Sequence, residues 1–138
     1  MTSWNPLYAH CKSFVTYAGI LVKAKFRGSS FEFSILNCYG PYLNRVSFWN
    51  NVVAGGIFGQ PNLILDGDLN FTLTDADIWG KKTRLDPLAP YFSQLLKDSN
   101  MIDVPPICAG PTWRNGCVGD EGIIKSLDIF LASTSLIP

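Results

Sequence analysis

A chain of 138 residues that is 47% hydrophobic and 16% charged is long enough for one domain with a real core and too apolar for a disordered segment. Eleven basic residues balance eleven acidic ones, so no net field draws in a polyanion, and a nucleic-acid partner must be met by a local basic patch. No apolar run approaches the roughly 20 residues that cross a bilayer, and the N-terminus lacks a basic-then-apolar signal pattern, so no membrane partner is expected.

The cysteines, Cys11, Cys38, Cys108 and Cys117, form no Cys-x-x-Cys pair, and the single histidine, His10, adjoins Cys11. That spacing argues against a structural zinc site and against a disulfide scaffold. Buried reduced thiols are the expectation, in an intracellular protein of the nucleus or cytoplasm.

Residues 1–17 show no clean period and read as irregular. Residues 19–26 then alternate, with Ile20, Val22, Ala24 and Phe26 on one face and Lys23 and Lys25 on the other. A turn over 27–30 joins them to a second alternating strand, 31–39, to make a hairpin. Asn37 and Tyr39 share the presumed core face with Phe31, Phe33 and Ile35, so they are satisfied buried groups or site groups. Gly40-Pro41 ends the strand. A helix is predicted from about 44 to 54, with Val46, Trp49, Val52 and Val53 inward, stopped by Gly55-Gly56.

Residues 61–70, Pro61-Asn62-Leu63-Ile64-Leu65-Asp66-Gly67-Asp68-Leu69-Asn70, organise the rest. A short apolar run bounded by turn residues reads as a strand buried on both faces. Asp68 and Asn70, two apart, point the same way on an extended backbone, and Gly67 permits a sharp turn or a close approach. A carboxylate at a strand's rim takes a proton from water or holds a metal; an amide donates to a phosphate oxygen. The same string is also ordinary turn chemistry at a strand end.

Residues 71–84 read as a polar loop whose Lys81, Lys82 and Arg84 either meet phosphates or are solvated surface. Trp79 packs, or stacks on a base. Asp86 is predicted to cap a helix with Pro87 at its first position, carrying Leu88, Phe92, Leu95 and Leu96 inward and ending at Asn100. A short strand is expected at 112–115. A long one follows over 123–133, with Asp128 inside an apolar run, where a carboxylate needs a partner.

Four segments thus stand in order: Asn37-Cys38-Tyr39-Gly40-Pro41, Gly67-Asp68-Leu69-Asn70, Thr112-Trp113-Arg114-Asn115 and Ser126-Leu127-Asp128-Ile129-Phe130-Leu131. Together they resemble the endonuclease/exonuclease/phosphatase superfamily, and within it the plant LINE-type retrotransposon endonuclease-like proteins, over nearly the whole chain. The resemblance implies an α/β (α+β) fold, a partial four-layer αββα sandwich forming one incomplete domain over 1–138. It also implies magnesium-dependent hydrolysis of a phosphodiester, as in DNA nicking, with nucleic acid as partner.

In that family the aspartate matched by Asp68 orients or deprotonates the attacking water, and Asp68 would also touch the metal. Asn70 and Tyr39 match residues that contact the phosphate, and Asp128 matches the one that holds a catalytic histidine. Asn37, Asn44, Arg45, Trp113 and Asn115 are the further candidates for phosphate or nucleic-acid contact. The family pattern also has a metal-binding glutamate ahead of these segments and a Ser-Asp-His motif after them, and this chain shows neither. Ile129 and Tyr42 stand where arginine and asparagine are usual. The expectation is a fragment that cuts weakly or not at all, or a relic that binds nucleic acid without cutting.

Overall fold

The computed structural model describes residues 4–81, 84–107 and 110–137. Nine strands are present among them: β1 (Ala9–Val15), β2 (Gly19–Phe26), β3 (Glu32–Cys38), β4 (Leu63–Asp68), β5 (Ile78–Trp79), β6 (Met101–Asp103), β7 (Trp113–Arg114), β8 (Ile124–Lys125) and β9 (Asp128–Ser133). Two α-helices, α1 (Arg45–Ala54) and α2 (Ala89–Asp98), complete an α+β domain. Six strands form the main sheet in the order β1-β2-β3-β4-β9-β6, and β5-β8-β7 form a small second one. Only β3 and β4 run parallel, as the helical crossover through α1 allows. Their neighbours are antiparallel.

Both helices lie on one face of the main sheet. Trp49 and Val52 of α1 and Phe92 and Leu96 of α2 join Leu36, Leu63, Leu65 and Leu131 in one buried cluster. Phe71 stacks on Phe92 with ring centroids 3.9 Å apart, and Trp49 meets both rings edge-on. The inward stripe of α1 is Phe48, Trp49 and Val52; Val46 and Val53 are exposed, contrary to the helical-wheel reading.

The hairpin forms as predicted, but the covered face is the other one. Leu21 pairs with Leu36, and Leu36 with Leu65, on the helix side. Ile20, Val22, Phe26, Phe33 and Ile35 share the opposite face, where Ile20 and Phe26 are exposed. Accordingly β4 is buried on one face only: Leu63 and Leu65 are inaccessible, while Ile64 and Asp66 are half-buried.

Four further expectations are corrected. Residues 9–15 are the edge strand β1, whose mixed composition hides a seven-pair ladder with β2. The stretch 71–84 is anchored by buried Phe71 and Thr72, and contains a 3₁₀ turn held by the Thr74–Asp77 capping box and the short strand β5. Helix α2 starts at Ala89, with Pro90 in its first turn. Asp86 serves Arg45 and the Leu88 N–H instead of capping it. Finally, residues 123–133 split between two sheets at Ser126-Leu127, which puts Asp128 at the first position of β9, exposed to solvent. Lys82 and Cys108 lie outside the described residues.

Candidate functional site

The C-terminal end of β4 carries the site. Asp68, its last residue, is the register partner of Asp128, the first of β9. Directly opposed residues on antiparallel strands lie with Cα atoms about 4.5–5.5 Å apart, so the two carboxylates belong to one sheet end. Gly67 makes this possible. Its φ is +129°, and a Cβ there would lie 2.1 Å from the Cys38 carbonyl oxygen. The Gly67 backbone therefore presses against β3 where no other residue fits. The next contact has the same character: the Gly40 N–H donates to the Asp68 carbonyl at 2.7 Å. Tyr39 is thereby held next to the aspartate, 71% exposed.

Asn70 is not placed by strand alternation. It follows the end of β4 with φ +53°. Its N–H donates to Asp68 Oδ1 at 3.0 Å, and its side-chain amide donates to the Gly40 carbonyl. That amide has two hydrogens, so one remains for a ligand. Arg45 holds the turn from below, donating to the Asn70 carbonyl at 3.0 Å and forming a two-pronged ion pair with Asp86. Asp128 is set by Thr112, whose hydroxyl oxygen accepts the N–H groups of Leu127 and Asp128 at 2.9 and 3.2 Å.

Two hollows flank this end. One, of about 880 Å³, is lined by Asn37, Asp66, Asp128, Phe130 and the 104–107 and 110–112 segments. Asn37 is the parallel partner of Asp66 and donates to its Oδ2 at 3.4 Å. Below them, burial and then the Asp66 carboxylate push the Cys38 thiol up to about 12. The other hollow, of about 500 Å³, is lined by Tyr42, Arg45, Asn70, Arg84, Trp113 and Lys125 among others. Among the described residues neither Arg84 nor Lys125 has an ion-pair partner, whereas the Arg45 charge is met by Asp86 and Lys81 pairs with Asp120. Trp113 is 40% exposed, as a ring that stacks on a base must be.

Of the residues singled out from the sequence, Asp68, Asp128, Tyr39, Asn70 and Asn37 come together, and Trp113 joins them across the second hollow. Arg45 sits there too, but its guanidinium is engaged. Asn44 is exposed at the start of α1 and lines a groove with Asn50 and Asn51. Asn115 is spent within its own loop, accepting from Cys117 and Ile123 and donating to the Glu121 carbonyl. Lys125 was not singled out, although its partnership with Trp113 across β7 and β8 puts it beside the mouth.

Magnesium needs an octahedral set of oxygens, part protein and part water. Among the described residues no group of three or more His, Cys, Asp or Glu side chains is placed to hold a metal ion. Asp68 Oδ1 is already an acceptor for Asn70, so these residues do not by themselves fit the ion the resemblance implies. None of the described helices is long and apolar enough to cross a membrane.

The architecture is an α+β fold, a helix-backed mixed sheet with an acid-and-amide mouth at the end of β4. No family model matches the chain, and no curated protein does. Solved structures do match, among them the endonuclease domain of TRAS1, a telomere-specific non-LTR retrotransposon, with a TM-score of 0.58 at 16% identity. The match covers 85% of this chain and 52% of that one, so the chain spans about half the length of the structure it resembles. At that identity the likeness is one of fold.

Proposed function

We propose that this chain is a nuclease-like domain of the endonuclease/exonuclease/phosphatase type, whose mouth receives a phosphodiester of nucleic acid. The observation that carries the reading is the register pairing of Asp68 with Asp128 beside the Tyr39–Gly40 turn. In it Asp68 takes a proton from the attacking water, and the free amide hydrogen of Asn70 and the Tyr39 hydroxyl donate to the phosphate oxygens. The Asp128 carboxylate, which no hydrogen bond or ion pair engages among the described residues, is the acceptor that orients a catalytic group.

Hydrolysis of this type uses magnesium to neutralise the phosphate and acidify water. Since the described residues do not make that ion's shell, the chain alone cuts at most weakly. Incubated with supercoiled plasmid and magnesium, it should form nicked circles no faster than its Asp68→Ala variant. Robust nicking that Asp68→Ala abolishes contradicts the weak-activity claim.

A second reading, binding without cutting, is favoured by the hollow that joins Trp113 to Arg84 and Lys125. A stacking ring between cations that have no ion-pair partner among the described residues holds single-stranded nucleic acid without chemistry. Binding that weakens steeply with salt, with no cleavage, selects this reading.

A further inference from the structure

A second exposed surface adjoins the hollow of Trp113 and Lys125. The groove along α1, of about 750 Å³, shares Tyr42 and Arg45 with that hollow, so the two run into one another. Tyr42 stands at the junction, 80% exposed. Beyond it Asn44, Ser47 and Asn51 follow at spacings of three and four residues, which set them in one row along the helix. Trp49 and Val52 turn to the core and leave that row free. Among the described residues the side chains of Asn44, Ser47 and Asn51 have no hydrogen-bond partner. Asn50 accepts from the Tyr91 hydroxyl at 2.9 Å and keeps both amide hydrogens.

The groove differs in chemistry from the hollow. The hollow carries Arg84 and Lys125, cations suited to phosphate. The one charge in the groove, Arg45, is met by Asp86, and no carboxylate lines it among the described residues. It offers amides, a hydroxyl and an exposed phenol ring. A phosphate oxygen only accepts, and a neutral row has no charge to hold it. Base edges present donors and acceptors together, as an amide does, in a pattern that differs from base to base. Their faces stack on an aromatic ring.

We propose that the α1 groove is a base-reading site for the single strand that leaves the Trp113 hollow. Arg84 and Lys125 hold the backbone, the strand turns at Tyr42, and its bases meet Asn44, Ser47 and Asn51. Seven residues of helix span about 10 Å, room for about three nucleotides at about 3.4 Å each. The inference rests on the binding reading of that hollow and adds to it a length and a base preference.

The test is fluorescence anisotropy of labelled single-stranded DNA decamers of one base each, adenine, cytosine or thymine, with the full chain over a range of salt. The variant is Asn44→Gly combined with Asn51→Ala. Asn44 holds φ +55°, which glycine accepts without strain, so circular dichroism should stay that of the wild type. Wild-type affinities for the tightest and the weakest decamer should differ at least fivefold. The variant should bind the tightest about tenfold more weakly, narrow the spread and keep the salt slope, since no phosphate contact is lost. Lys125→Ala should instead weaken all three alike and make the slope shallower by about 0.7. Equal wild-type affinities overturn the groove site. So does unchanged affinity in the variant while Trp113→Ala still weakens binding, an outcome that leaves the hollow reading standing. A shallower slope in the variant overturns it too, because the row would then be holding phosphate. A wild-type chain that binds none of the decamers overturns the hollow reading and the groove site together.

Discussion

The two faces of the main sheet are built from side chains of the same kind and meet opposite environments. On the helix side Leu36, Leu63, Leu65 and Leu131 are fully inaccessible. On the other, Phe26, Phe31 and Phe130 keep between 44% and 50% of their surface. The covered face is where α1 and α2 lay their aromatic residues, and it holds the fold together. The open face holds the surface that remains to be used, and the acidic mouth stands at its margin. A residue's apolar character says only that it wants cover; which layer provides it is decided by tertiary packing.

The sharpest way to break the comparison is to truncate one residue on each face under dilute conditions. Leu65→Ala should lose about 3–5 kcal/mol of unfolding free energy, since it leaves a cavity between sheet and helices. Phe26→Ala, half-solvated already, should lose only about 1 kcal/mol. Equal losses in denaturant titrations would mean the two faces do not differ as described.

Next in size is the Arg45–Asp86 ion pair, which ties α1 to the chain entering α2 and to the Asn70 turn. Only 19% and 7% of the two side chains is exposed. Arg45→Ala leaves a mostly buried carboxylate with one N–H donor and should cost about 3 kcal/mol. Arg45→Ala combined with Asp86→Ala should recover part of that loss in a double-mutant cycle. No recovery would show that the pair does not couple.

The smallest effect is at the sheet's margin. Partial burial, and then the Asp77 carboxylate, raise Asp103 above its ordinary value of 3.8. A raised carboxylate means the folded chain binds the proton more tightly than the unfolded one. Its cost to stability therefore appears as pH rises above 3.8 and is complete once pH exceeds the raised value. Asp103→Asn should raise the melting temperature slightly at neutral pH, and the gain should vanish below pH 3.8. A gain that is independent of pH contradicts this electrostatic origin.

Much of this was legible in the residues. The hairpin of β2 and β3, both helices and β4 follow from period and punctuation. Other features were hidden for identifiable reasons. Alternation assigns Ile20, Val22 and Phe26 to one face but cannot say that the helices choose the other. A single strand-like stretch from Ile123 to Ser133 conceals the step at Ser126-Leu127, which is set by the Thr112 hydroxyl and by the Leu127 carbonyl accepting the Leu69 N–H. That step turns Asp128 from a supposed buried acid into an exposed one. The engagement of Arg45 by Asp86, 41 residues away, is a long-range contact with no local signature.

The central claim is that a phosphate enters the mouth between Asp68, Asp128 and Asn70. Fluorescence anisotropy of a labelled single-stranded oligonucleotide, in low salt without divalent metal, tests it most directly. Two carboxylates facing a phosphate repel it, so Asp128→Asn should tighten binding roughly fivefold, and Trp113→Ala should weaken it. An affinity indifferent to both substitutions would place the nucleic acid elsewhere and contradict the account.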